Sequence, residues 1–132
     1  MLDKQLEDYV NGRYFAKLAT IGSDGYPHVT IMWYLYENGH FYMTTTTTRV
    51  KYRNVRRNPK IGFVIDSDPY KGLVVKGEVV DFLFDDLEAW NRRIAARYTE
   101  RERLDAMVAS LMKDPRVILD IRPTALTRTG DW

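Results

Sequence analysis

Three strand-like runs divided by two tight-turn signals, all within residues 14–45, constrain the fold of this chain more than any other feature. Tyr14 to Ile21 reads as a strand and is followed by Gly22-Ser-Asp-Gly25. Pro27 to Tyr36 is a second run, rich in β-branched and aromatic residues. Glu37-Asn-Gly39 then turns the chain into a third strand, His40 to Thr45. Asp-Gly and Asn-Gly supply the positive φ angles that short hairpin turns need. The chain therefore opens as a meander with short connections.

The period then changes. From Thr48 to Arg57, Val50, Asn54 and Val55 fall near one face, which predicts a short helix ended by Asn58-Pro59. Lys60 to Asp66 reads as a fourth strand, and Ser67-Asp-Pro69 as a turn. Lys71 to Phe84 reads as a long fifth strand, with Gly72 and Gly77 as bulge points. Two helices are expected over Asp85–Tyr98 and Glu100–Lys113, the second capped by Thr99 with Glu102 three residues on. Arg116 to Thr127 completes six strands. Residues 2–11 form an amphipathic helix with Leu2, Leu6, Tyr9 and Val10 on one side. Strands in this order with inserted helices predict an α+β barrel, not a parallel α/β sheet, in one domain spanning 1–132.

Composition removes several function classes. The 132 residues suffice for one core. The absence of cysteine excludes disulfides, thiolate catalysis and zinc–thiolate sites. There is no long apolar run for a membrane span and no signal-peptide stretch at the N-terminus, so a cytoplasmic location and no membrane partner are expected. A net charge of +2 does not mark a nucleic-acid binder. Its distribution says more: residues 49–60 carry six basic side chains and no acidic one, which points to a discrete anionic ligand.

That patch adjoins Thr44-Thr-Thr-Thr-Thr48. Hydroxyls and backbone N–H groups at Thr44, Thr45 and Thr46, the start of a helix, the planar fork of Arg49 and the charge of Lys51 can together bind a phosphate. A solvated basic helix after a threonine-rich strand end would give the same pattern. The strand His28 to Tyr36 has apolar residues on both faces, with Val29, Ile31 and Trp33 on one and Thr30, Met32 and Tyr34 on the other. Such a strand suits a barrel wall that meets a flat ligand or a second subunit outside; a plain core with an aromatic outer face is the alternative. His28 and His40 lack a carboxylate at metal-ligand spacing, so no metal site is expected. No nucleophile triad is present and no catalytic residue is assigned. Any chemistry would belong to a bound cofactor.

The runs Leu18-Ala-Thr-Ile-Gly-Ser-Asp-Gly-Tyr-Pro-His-Val-Thr30 and Phe41-Tyr-Met-Thr-Thr, with Arg49-Val-Lys51, Asn54 and Arg57-Asn-Pro59, resemble the pyridoxamine 5'-phosphate oxidase-like split-barrel superfamily. The Arg-x-Lys followed by Asn-x-x-x-Asn-Pro is similar to its deazaflavin-dependent branch, whose cofactor is coenzyme F-420. The resemblance implies a six-stranded split barrel that forms a homodimer with a cofactor groove built by both subunits. It implies that Thr45, Arg49 and Lys51 hold the phosphate. Val29, Thr30, Ile31, Met32 and Trp33 would lie along the ring system, and Lys76 and Gly77 would approach from the partner. Vitamin B6 oxidation is not implied: the chain is shorter than the oxidases, has Val29 where they use an arginine, and ends before their substrate-binding C-terminal arginine. The expected activity is hydride transfer between F-420 and a small, unsaturated substrate. FMN-dependent oxidation or reduction, or a flavin- or haem-binding module without turnover, are the alternatives.

Overall fold

In the computed structural model, residues 2–132 are described. Helix α1 (Lys4–Val10) starts at Asp3, whose side chain accepts a hydrogen bond from the Leu6 N–H. The expected apolar side of α1 is the buried one, comprising Leu2, Leu6, Tyr9 and Val10. Each such aliphatic side chain contributes about 1.5–3 kcal/mol by leaving water. Strands β1 (Ala16–Ile21), β2 (Pro27–Met32), β3 (Tyr34–Glu37) and β4 (His40–Thr46) follow, then α2 (Val50–Arg57), β5 (Lys60–Ser67) and β6 (Lys71–Leu83). Helices α3 (Leu87–Ala95) and α4 (Leu104–Leu111) precede the last strand, β7 (Arg116–Gly130).

Among the described residues there are seven strands rather than six, because the run expected over Pro27–Tyr36 is divided at Trp33. The division closes the fold. The sheet order is β2-β1-β5-β6-β7-β4-β3, entirely antiparallel between neighbours. β2 and β3 are thus the two edges of the sheet, joined through one residue, so the sheet rolls into a split barrel. The first three runs are consequently not a simple meander. The bend frees the Tyr34 N–H from strand pairing, and the Tyr98 hydroxyl accepts it at 3.1 Å while donating to the Tyr14 carbonyl at 2.7 Å. The Tyr98 ring is stacked between Phe15 and Trp33, with centroids 5.4 and 5.0 Å away.

The turn readings hold in detail. Asn38 and Gly39 have φ of 52° and 82°, the paired left-handed conformation of a two-residue hairpin turn. Gly77 sits at a register shift between β6 and β7, where a Cβ would lie 2.7 Å from the Arg122 carbonyl oxygen. Gly72 lies within regular pairing instead. The expected cap at Thr99 is absent. Its N–H bonds the Ala95 carbonyl and so finishes α3, leaving a 3-10 turn over Arg101–Arg103 before α4.

The barrel interior is filled by Leu18, Tyr34, Phe41, Met43, Ile65, Leu73, Leu119 and Ile121, all fully buried. α3 packs on β3, β4 and β7 through Asn91, Ile94 and Ala95, and α4 packs on α3. No helix among the described residues is long and apolar enough to cross a membrane.

Candidate functional site

The end of β4, the start of α2 and the start of β7 meet around a cavity of 250 Å³. Ile31, Met32, Trp33, Thr44, Thr45, Thr46, Arg49 and Lys51 line it, together with Leu111 and Arg116. Eight of the residues singled out from the sequence therefore share one site. Thr30 lies on the same strand but does not line the cavity; its hydroxyl is buried without a hydrogen-bond partner. Val29 faces outward and is 60% exposed. Lys76 and Gly77 line a separate cavity of 440 Å³, walled by Ala19, Ile21, Pro27, Ile61 and Gly62.

Side chains rather than loop amides make the cationic site. Thr44, Thr45 and Thr46 belong to β4, not to a loop. The N–H groups of Thr47 and Arg49 are already bonded to the Pro115 and Thr46 carbonyls. On α2, the inward face is Lys51, Asn54 and Val55: Asn54 and Val55 lie where the sequence places them, while Val50 is exposed and Lys51 takes its place. Lys51 is thereby only 8% exposed. Burial pulls its ammonium below the usual lysine range, and the positive charges of Arg49 and Arg116 add to that.

Arg116 was not singled out from the sequence. It stands sixty-five positions beyond Lys51 and reads as the first residue of a strand. Only the pairing of β4 with β7, which sets Thr46 opposite Arg116, brings it to the cavity. Burial lowers its guanidinium from the usual arginine range, Asp114 opposes this, and Arg49 adds to it. Its Nε and Nη2 donate to the Thr44 hydroxyl at 3.3 and 3.1 Å. Three cations thus converge on one cavity whose lining includes three threonines and no carboxylate. Desolvated like charges are costly unless an anion joins them. This donor set fits the phosphate of a flavin or deazaflavin.

The histidines lie elsewhere: His40 Nδ1 is 2.6 Å from Asp120, and the His28 Nδ1 is buried without a partner.

The sequence pattern of the pyridoxamine 5'-phosphate oxidase family matches residues 2–129. The chain belongs to that family. An F420 reductase is 33% identical, with 92% of this chain and 94% of that one covered and a TM-score of 0.76. A conserved hypothetical protein from Mycobacterium tuberculosis is 29% identical, covering 98% of this chain and 85% of its own, at a TM-score of 0.78. HutZ, the heme storage protein from Vibrio cholerae, shares the fold at 17% identity, covering 98% and 95% of the two chains, with a TM-score of 0.73. No match was found among curated proteins.

Proposed function

We propose that this family member is an oxidoreductase that binds coenzyme F-420 and serves hydride transfer to a small, unsaturated substrate. The convergence of Arg49, Lys51 and Arg116 on a carboxylate-free cavity carries the reading. Arg49 and Arg116 offer planar forks to phosphate oxygens, Lys51 a compact charge, and Thr45 and Thr46 hydroxyl donors. The likeness to an F420 reductase at 33% identity favours the deazaflavin over other flavins. The bound cofactor would supply the hydride chemistry; the chain's own part is to bind, orient and exclude water.

The working unit in this proposal is a homodimer. A cavity of 250 Å³ suits the phosphate end of such a cofactor, while whole-ligand pockets run from about 300 to 1,000 Å³. The ring system needs a further wall. Val29, Ala19, Gly62, Lys76 and Ala125 form one row across the outer face of the sheet, and Ile31, Lys17, Val64, Val74 and Thr127 the next. A partner seated on that face would bring Lys76 and Gly77 to the ring side of the groove.

FMN is the second reading, favoured by the number of cations: three positive groups around a small cavity also suit a terminal phosphate dianion. Side-by-side titration of the purified protein with F-420 and FMN at low salt decides between them. Tighter binding of F-420 is expected. FMN affinity equal to or better than that for F-420 would transfer the assignment to FMN.

A further inference from the structure

Asn91 lies outside the cavity and is fully buried on α3. Its Nδ2 donates to the Leu87 carbonyl at 2.8 Å, and its Oδ1 accepts the proton of the Thr44 hydroxyl. The Thr44 oxygen accepts from Arg116 Nε and Nη2. The direction of this chain is enforced at both ends. A backbone carbonyl can only accept, so the Asn91 amide must present its NH₂ to Leu87 and its oxygen to Thr44. A guanidinium can only donate, so the single Thr44 proton must point away from Arg116, toward Asn91. Two of the five Arg116 N–H groups are used here, which leaves the opposite edge for a ligand in the cavity.

Without such an anchor Arg116 has reason to leave. It borders Arg49 and Lys51, both positive, and it is partly desolvated; Asp114 opposes this but does not line the cavity. The repulsion would favour a rotamer extended into water. Two hydrogen bonds that the guanidinium donates to a hydroxyl whose own proton is fixed hold it against that repulsion.

We propose that Asn91 is a positioning residue for the anion site, acting through the Thr44 hydroxyl to hold Arg116 in the cavity. The proposal rests on the phosphate-clamp reading above. It makes α3 a structural part of the ligand site although no residue of α3 lines it.

The test is a double-mutant cycle read by binding, with F-420 as one probe and inorganic pyrophosphate as a second, and with circular dichroism as a check on folding. Arg116→Ala is expected to weaken both probes about tenfold or more, and Asn91→Leu about three- to tenfold. If Asn91 acts through Arg116, adding Asn91→Leu to Arg116→Ala costs nothing further. Thr44→Val should reproduce Asn91→Leu, and Thr44→Ser, which keeps the hydroxyl, should restore binding. Should Asn91→Leu fail to fold, the Thr44 pair in both backgrounds reads the same coupling without altering α3. Losses that multiply in the double variant, or Thr44→Ser behaving as Thr44→Val, overturn the relay while leaving the clamp standing. Arg116→Ala binding both probes as the wild type does overturns the clamp and the relay together. If F-420 fails to bind the wild type but pyrophosphate binds and shows the coupling, the cofactor assignment falls and the relay stands.

Discussion

The two cavities of this barrel are unfavourable in opposite ways. One gathers Arg49, Lys51 and Arg116 with no carboxylate in its lining; the other is a larger hollow whose floor is small and apolar around Ala19, Ile21, Gly62 and Gly77, with Lys60, Lys76 and Glu78 also lining it. The first leaves charge partly desolvated. The second leaves apolar surface in water, continuous with exposed Val29 and Ile31. Neither arrangement helps an isolated chain to fold. Crowded charge is relieved by an anion, and bare apolar surface by another protein surface. In the function proposed above, the first region serves a ligand and the second a subunit, and the two are satisfied together.

The largest effect should come from placing a charge in the apolar hollow. Ala19→Glu would bury a carboxylate where the proposed partner sits. An unpaired buried charge costs about 3–5 kcal/mol; Lys60 and Lys76 line the same hollow and offset part of this, so a loss of at least about tenfold in dimer affinity is expected. Sedimentation should show a dimer for the wild type and a folded monomer for the variant, with cofactor binding lost as well. A wild-type protein that sediments as a monomer at micromolar concentration breaks the comparison at its second half.

Removing a charge from the cationic cavity should have a smaller effect with two signs. Lys51→Met is expected to weaken cofactor binding ten- to a hundredfold, from a charge-assisted bond of roughly 1.5–3 kcal/mol. It should also raise the melting temperature of the cofactor-free protein, because a buried ammonium flanked by arginines is replaced by an apolar chain of similar length. A gain of about 1 kcal/mol corresponds to roughly 4 °C for a domain of this size. The pH dependence follows in sign. Lys51 titrates lower in the folded chain than in the unfolded one. Between those two values the unfolded state holds more protons, so wild-type stability rises with pH there. Lys51→Met should lack that rise, and Arg49→Ala should keep it in reduced form, since burial, the larger cause, remains while the charge of Arg49 is lost. Loss of binding with an unchanged melting temperature and an unchanged pH profile would mean that Lys51 is not strained in its cavity.

Much of this comparison was legible in the sequence, and its gaps have physical causes. Turns at Asp24-Gly25 and Asn38-Gly39 could be read because positive φ restricts residue type. The apolar side of α1 could be read because its period is clean. The break at Trp33 could not: an aromatic between Met32 and Tyr34 continues the strand pattern, and only closure of the sheet and Tyr98 from α3's end show why the chain bends there. On α2, Asn54 and Val55 face inward as the pattern predicts, but Lys51 replaces Val50 there, and this could not be read because a lysine pointing inward contradicts amphipathic patterning, which is how a functional site often announces itself. Arg116 and Asn91 carry no local signal. Their roles arise from β4–β7 pairing and from α3 lying across β4, contacts between residues far apart in the chain.

The smallest expected effect concerns the rest of the basic run, and it sharpens the first half of the comparison. Arg53, Arg56, Arg57 and Lys60 surround the clamp in sequence but not equally in space. Arg56 lies over the Phe82 ring, 4.8 Å from its centroid. Arg57 donates to the Ile21 carbonyl at 2.8 Å and to Asn54 at 3.1 Å, tying α2 to β1. Lys60 lines the apolar hollow. Arg53 is exposed, one turn from Arg49, and its side chain donates to the nearby Thr48 carbonyl at 3.2 Å. F-420 carries carboxylates beyond its phosphate and FMN does not, so Arg53 is the residue best placed to tell them apart. Exposed ion pairs contribute about 0.2–1 kcal/mol, so Arg53→Ala should weaken F-420 by at most about fivefold and leave FMN unchanged. Salt should abolish that difference, since exposed charges are screened over about 10 Å at 0.1 M. Arg57→Ala should lower the melting temperature with little change in affinity. If Arg53, Arg56 and Arg57 all weaken F-420 equally at low salt, the run acts as a diffuse positive field, and the distinction between a built clamp and a solvated helix face disappears.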